Sequence, residues 1–129
     1  MKNKSILLSV LVVLSLLIST FSVGAIDPGE TIKIGVVCPI SGSAAIAGKY
    51  IINGVKLLDE EIKAAGGVER DGVFYPVEFI FEDNEAKEDI TANAYQKLIY
   101  QDDVLAILGP DMSKTILAAG PIAQAAGVP

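Results

Sequence analysis

Two short stretches carry groups that can bind a small molecule without any catalytic side chain. Residues 39–48 (PISGSAAIAG) and 109–115 (GPDMSKT) are built of small residues and hydroxyls, and each leads into a segment with helical spacing. The first turn of a helix has backbone N–H groups without intrahelical acceptors and a partial positive charge, which together favour a carboxylate or another anion. Ser41, Ser43, Ser113 and Thr115 add hydroxyls that both donate and accept. Gly42, between the two serines, counts with them as a candidate contact. Structural roles compete with these readings. Ser113 serves equally well as a helix cap, and Ser41 and Ser43 as turn-shaping residues. Asp83, Asn84 and Asp111 read as caps and solvated turn residues rather than as ligand groups.

Other chemistries are poorly supplied. The sequence has no histidine, so the commonest general base and metal ligand are missing. Cys38, the single cysteine, stands at a strand end with no histidine to activate it and reads as a small buried residue. Gly42 to Lys49 imitates a phosphate-binding loop. It has five residues between its glycines where that motif has four, and Tyr50 stands where a magnesium-holding hydroxyl is required. Asp59, Glu60 and Glu61 are consecutive, so on a helix they point to different sides and form no metal cage. No Gly-x-Ser-x-Gly elbow is present. The reading is of a binder, not an enzyme, with no metal or cofactor.

The elements that must position these groups alternate in type. Residues 31–37 (TIKIGVV), 77–81 (VEFIF) and 104–108 (VLAIL) are short apolar runs of the kind buried on both faces of a parallel sheet. Ile51, Val55, Leu58, Ile62 and Ala65 mark one stripe of a helix that Gly66-Gly67 closes. Asp71-Gly72 within 68–75 predicts a tight turn. Residues 82–85 (EDNE) supply acidic and capping groups to a second helix spaced by Ile90, Ala94 and Leu98. A third helix is expected from Ser113 to about Ala126, kinked at Pro121. Val128-Pro129 then reads as the first step of a fourth strand. This order predicts an α/β fold of βαβ units on a parallel sheet. Ligands of such sheets bind outside the carboxyl ends of the strands, where the strand order reverses. Both candidate stretches follow a strand. They are expected to lie side by side at that rim.

The N-terminus is of another kind. Lys2 and Lys4 precede an apolar run from Ile6 to Ile18, and Val23-Gly24-Ala25 offers small residues for cleavage. These are the parts of a secretory signal peptide, expected to be cut after Ala25. Left uncut, the same segment would serve as an anchor. The domain division is therefore 1–25 signal and 26–129 mature chain. Removing 1–25 takes away Lys2 and Lys4, so 10 basic residues become 8 against 16 acidic, and the formal charge moves from −6 to −8. A chain this acidic repels nucleic acid.

The longer stretches IKIGVVCPISGSAAIAGKYIINGVKLLDEEIKAAGGV, FIFEDNEAK, LIYQDDVLAILGP and SKTILAAGPIAQAAGVP stand in an order and spacing that resembles the start of the leucine-binding type of periplasmic binding proteins. These are the solute receptors of branched-chain amino acid ABC transporters, and the resemblance covers 31–129. It implies two such lobes that close over a ligand, of which 26–129 corresponds to the first part of the first, a truncated lobe. It implies an exported protein on the periplasmic or extracellular side that binds an amino acid or similar small molecule and delivers it to an ABC permease. A membrane receptor's sensory domain of the same fold is the alternative. Met112 and Ser113 fall where the family holds the ligand's α-carboxylate, and Thr115 fits the same pattern. Ala47 falls in the first loop, where some members place a large aromatic, and Lys114 where a small hydroxyl residue is common. Both depart from the pattern. The methyl of Ala47 leaves room for a ligand other than leucine.

Overall fold

A computed structural model describes residues 29–129, so the expected signal segment at 1–25 lies outside the described residues. Its elements are strand β1 (Ile32–Cys38), helix α1 (Ala45–Ala64), strands β2 (Val68–Arg70), β3 (Val73–Tyr75) and β4 (Val77–Asp83), helix α2 (Glu88–Tyr100), strand β5 (Ala106–Leu108) and helix α3 (Ser113–Ala126). β1, β4 and β5 form a parallel sheet in the order β4-β1-β5, the expected βαβ architecture. β2 and β3 pair as a small antiparallel hairpin. Asp71 and Gly72 turn it with φ of 53° and 79°, the left-handed pair of a two-residue hairpin turn.

Strand alternation divides the sheet into two faces. Gly35 is in register with Ile80 and Ile107, and Val37 shares their face. This side holds the main core, in which Val37, Ala94, Tyr95, Leu98, Ile99, Val104 and Ala119 are buried together. A Cβ on Gly35 would come within 2.8 Å of a Leu98 methyl, so glycine there lets α2 lie close to the central strand. Phe79 and Phe81 alternate to the other face and line a groove with Val55, Lys56, Asp59 and Lys63 of α1. Thus α2 and α3 cover one face, and α1 covers the β1–β4 part of the other.

Several boundaries differ from the sequence expectation. Helix α1 starts at Ala45, not after Gly48, because the Gly48 amide already bonds to the Ala44 carbonyl. Its apolar stripe is only partly used. Val55 is buried, Ile51 and Ile62 are half-buried, and Leu58 and Ala65 are exposed, since two strands alone lie beneath it. Residues 82–85 do not cap α2. Glu85 and Ala86 turn left-handed at φ 48° and 58°, and the helix begins only at Glu88 after Lys87. Ser113 is not the cap of α3 either: Met112 occupies the cap position, without a side-chain cap bond. The helix continues through Pro121 to Gly127, whose φ of 69° closes it. The Pro129 carbonyl accepts the Ile107 N–H at 2.9 Å, so the last residues return to the open edge of β5.

Candidate functional site

β1 and β5 are neighbouring parallel strands, so the segments that leave them, 39–44 and 109–112, emerge at the same rim. Their helices then part: α1 turns to one face and α3 joins α2 on the other. Strand order reverses at this point, the place outside the carboxyl ends of the strands where open α/β sheets bind their ligands. Ser41 and Ser113 therefore share one rim. Cys38, the last residue of β1, is fully buried at this end of the strand. Burial pushes its pKa up, and the charges of Asp111 and Asp83 push the same way, so carboxylates from both flanks lie within electrostatic reach of it. A buried, protonated thiol is no nucleophile.

Each segment is tied down from a neighbouring element. Asp83 Oδ1, at the end of β4, accepts the Ile40 N–H at 2.8 Å and the Glu85 N–H at 2.9 Å. The Ser41 amide and hydroxyl lie close enough to the same carboxylate to stabilise its charged form. Partial burial raises the Asp83 pKa, but the Ser41 hydroxyl and the Glu85, Ser41 and Ile40 amides outweigh it and hold the carboxyl below its ordinary range. Beside it, fully buried Asn84 accepts the Ala86 N–H through Oδ1 at 3.1 Å, and its backbone N–H donates to the Cys38 carbonyl at 3.2 Å. The second segment is held by Tyr95 of α2, whose buried hydroxyl donates to the Gly109 carbonyl at 2.6 Å. Gly109 has φ of 102°, and a Cβ there would fall 2.2 Å from the Val37 carbonyl, so only glycine lets the chain pass this close to β1.

The residues singled out from the sequence occupy different positions. Ser41, Gly42 and Ser113 are exposed at the rim, with Met112 half-buried beside them. Ala47 is exposed but lies in the first turn of α1, not in the loop. Thr115 is fully buried, and its hydroxyl donates to the Met112 carbonyl at 2.7 Å, which places it beneath the turn and away from the open rim. The Ser41 hydroxyl is already engaged by Asp83. Asp59 pairs with Lys63 at 2.7 Å, and among the described residues no acidic, cysteine or histidine group of metal-binding size occurs. Sequence reasoning missed Asp83 and Tyr95 as positioning groups. The legible signal was an acidic residue at the end of the strand beside β1.

The comparisons with known proteins agree on one family. A model described as periplasmic binding protein matches residues 31–129. The Leu/Ile/Val-binding protein homolog 8 of Brucella abortus is 34% identical over 98 residues, covering 76% of this chain and 23% of the relative. Homolog 7 of the same species is 28% identical over 116 residues, covering 90% and 28%. The chain thus spans about a quarter of the length of these relatives. Among solved structures, the branched-chain amino acid transporter substrate binding protein of Streptococcus pneumoniae, in complex with isoleucine, aligns with a TM-score of 0.70 at 38% identity, covering 77% of this chain and 27% of that one. A solute binding protein of an ABC transporter from Rhodopseudomonas palustris BisB5, in complex with 3,4-dihydroxy benzoic acid, aligns at 0.66 with 37% identity, covering 77% and 26%.

Proposed function

Because the chain belongs to the periplasmic binding protein family, among relatives of the Leu/Ile/Val-binding type, we propose that residues 26–129 are the first part of the N-terminal ligand-binding lobe of an exported solute receptor. The receptor captures a small carboxylate-bearing molecule, an amino acid of the branched-chain type or a related acid, and presents it to an ABC permease. Binding is non-covalent, and closure of two lobes selects the ligand. One observation carries the reading: 39–44 and 109–112 leave adjacent parallel strands at one rim and turn to opposite faces. Their backbone N–H groups and the Ser113 hydroxyl suit a carboxylate. Isoleucine and dihydroxybenzoic acid, bound by the two related structures, share that group and little else. The small Ala47 side chain, exposed next to the rim, leaves room for more than one shape beyond the carboxylate.

The test is calorimetric titration of the intact gene product with branched-chain amino acids, benzoic acids and their carboxyl-blocked amides. Saturable binding of a free acid, with at least tenfold weaker binding of its amide, is expected. Equal affinity for acid and amide would remove the carboxylate from the account.

A further inference from the structure

The first loop presents two groups of hydrogen-bond donors that differ in availability. The Ile40 amide donates to the Asp83 carboxylate at 2.8 Å, and the neighbouring Ser41 amide and hydroxyl lie close enough to help lower its pKa. The Gly42, Ser43 and Ala44 amides have no acceptor among the described residues, and Ser43 is exposed. The loop rests against the Asp83 side. A Cβ on Gly42 would sit in ordinary contact, 3.6 Å from the Glu85 carbonyl oxygen, and the Asn84 backbone N–H donates to the Cys38 carbonyl at 3.2 Å. Glu85 and Ala86 hold left-handed conformations in the same turn, which for residues with a Cβ persist only where neighbours over-determine them.

We propose that Asp83 is a positioning residue for the solute site: it ties Ser41 back as a tether and leaves the Gly42–Ala44 amides and Ser43 as the donors the first loop offers a ligand. The inference rests on reading the rim as the solute site. It changes the part Ser41 plays. A hydroxyl whose proton is held by a carboxylate presents only lone pairs, and these repel a ligand's carboxylate. Ser41 therefore acts through Asp83 and does not touch the acid.

The experiment combines D83A, S41A, S41T, S43A and the D83A/S41A double variant in the intact gene product. L-isoleucine and 3,4-dihydroxybenzoic acid are the titrated probes, at a temperature where circular dichroism shows each variant folded. Alanine is used at position 83 because asparagine would keep an acceptor oxygen for the Ile40 amide. D83A and S41A are each expected to weaken binding about tenfold, and the double variant by no more than either alone, because both remove one tether. S41T keeps a hydroxyl and restores affinity. S43A weakens binding independently, so its effect multiplies with that of D83A. Additive losses for D83A and S41A, or no loss for D83A, overturn the proposal. Amide hydrogen exchange read without ligand keeps the two ideas separable. D83A should speed exchange at Ile40 and Ser41 while Val36 and Val37 stay protected. If the wild type binds neither probe yet this exchange pattern appears, the solute reading fails and the tether stands. Unchanged exchange at Ile40 and Ser41 sinks the tether itself.

Discussion

Replacing Gly48 by alanine sets two effects of opposite sign on one helix. Alanine is preferred over glycine in a helix interior by about 0.5–1 kcal/mol, which alone would stabilise α1. At Gly48, however, the new Cβ would lie 2.0 Å from the Pro39 carbonyl oxygen and 2.6 Å from its carbon, both main-chain atoms. Helix and loop must part by about 1 Å before such a contact is tolerable. Pro39 cannot easily give way. It is buried and follows Cys38, which is paired with Asp83 in the sheet. Overpacking of this kind costs about 1–3 kcal/mol, so the net expectation for G48A is a loss of up to about 2.5 kcal/mol after the helix gain is set against it. Gly54 in the same helix has nothing within 4 Å of its would-be Cβ, and G54A should gain about 0.5–1 kcal/mol. Urea unfolding of the intact gene product, followed by circular dichroism at a shared slope, measures both changes. A G48A protein as stable as G54A would refute the close seating of α1 on the first loop.

Three further perturbations read other parts of the structure. Leu98 is fully buried at the centre of the main core, and L98A should cost about 2–5 kcal/mol in the same unfolding assay; a loss below 1 kcal/mol would mean that the α2 face is not the core. Y95F removes the hydrogen bond to Gly109 and should cost about 1 kcal/mol, with NMR line widths changing at 109–112 and not at 39–44. Asp83 has its carboxyl held below the ordinary range, which in the unfolded chain is about 3.9. Its contribution to stability is therefore fully present above that value and lost as pH falls through the lower, folded value. D83N should lack this part of the acid slope, and unfolding midpoints measured through that window in both proteins would show it; identical slopes would contradict the tether.

The sequence shows the sheet clearly because its strands are compact apolar runs with β-branched residues, and β1 and β4 lie within a residue or two of their expected limits. Glycine signals were equally direct: Asp71-Gly72 turns the hairpin where the dipeptide predicts. The start of α1 was less legible. Gly48 suggests a loop to a propensity argument, yet it sits inside the helix because only glycine fits against Pro39. The same limit applies at 82–86, where acidic and amide residues next to a helix look like caps. Here Asp83 reaches across to a loop 43 residues away in sequence. Such a bond depends on which strands are neighbours, and local patterns do not encode neighbours. Thr115 and Ser113 illustrate the point at the rim. Two hydroxyls two residues apart look alike in sequence, but one is buried against Met112 and the other is exposed.

Where a ligand's carboxylate rests can be seen in a crystal structure of the intact gene product grown with L-isoleucine or 3,4-dihydroxybenzoic acid. The carboxylate is expected between residues 42–44 and 112–113, within hydrogen-bond distance of the Ser113 hydroxyl and the free loop amides. A ligand seated at the opposite ends of the strands, or in the groove between α1 and Phe79 and Phe81, would contradict it.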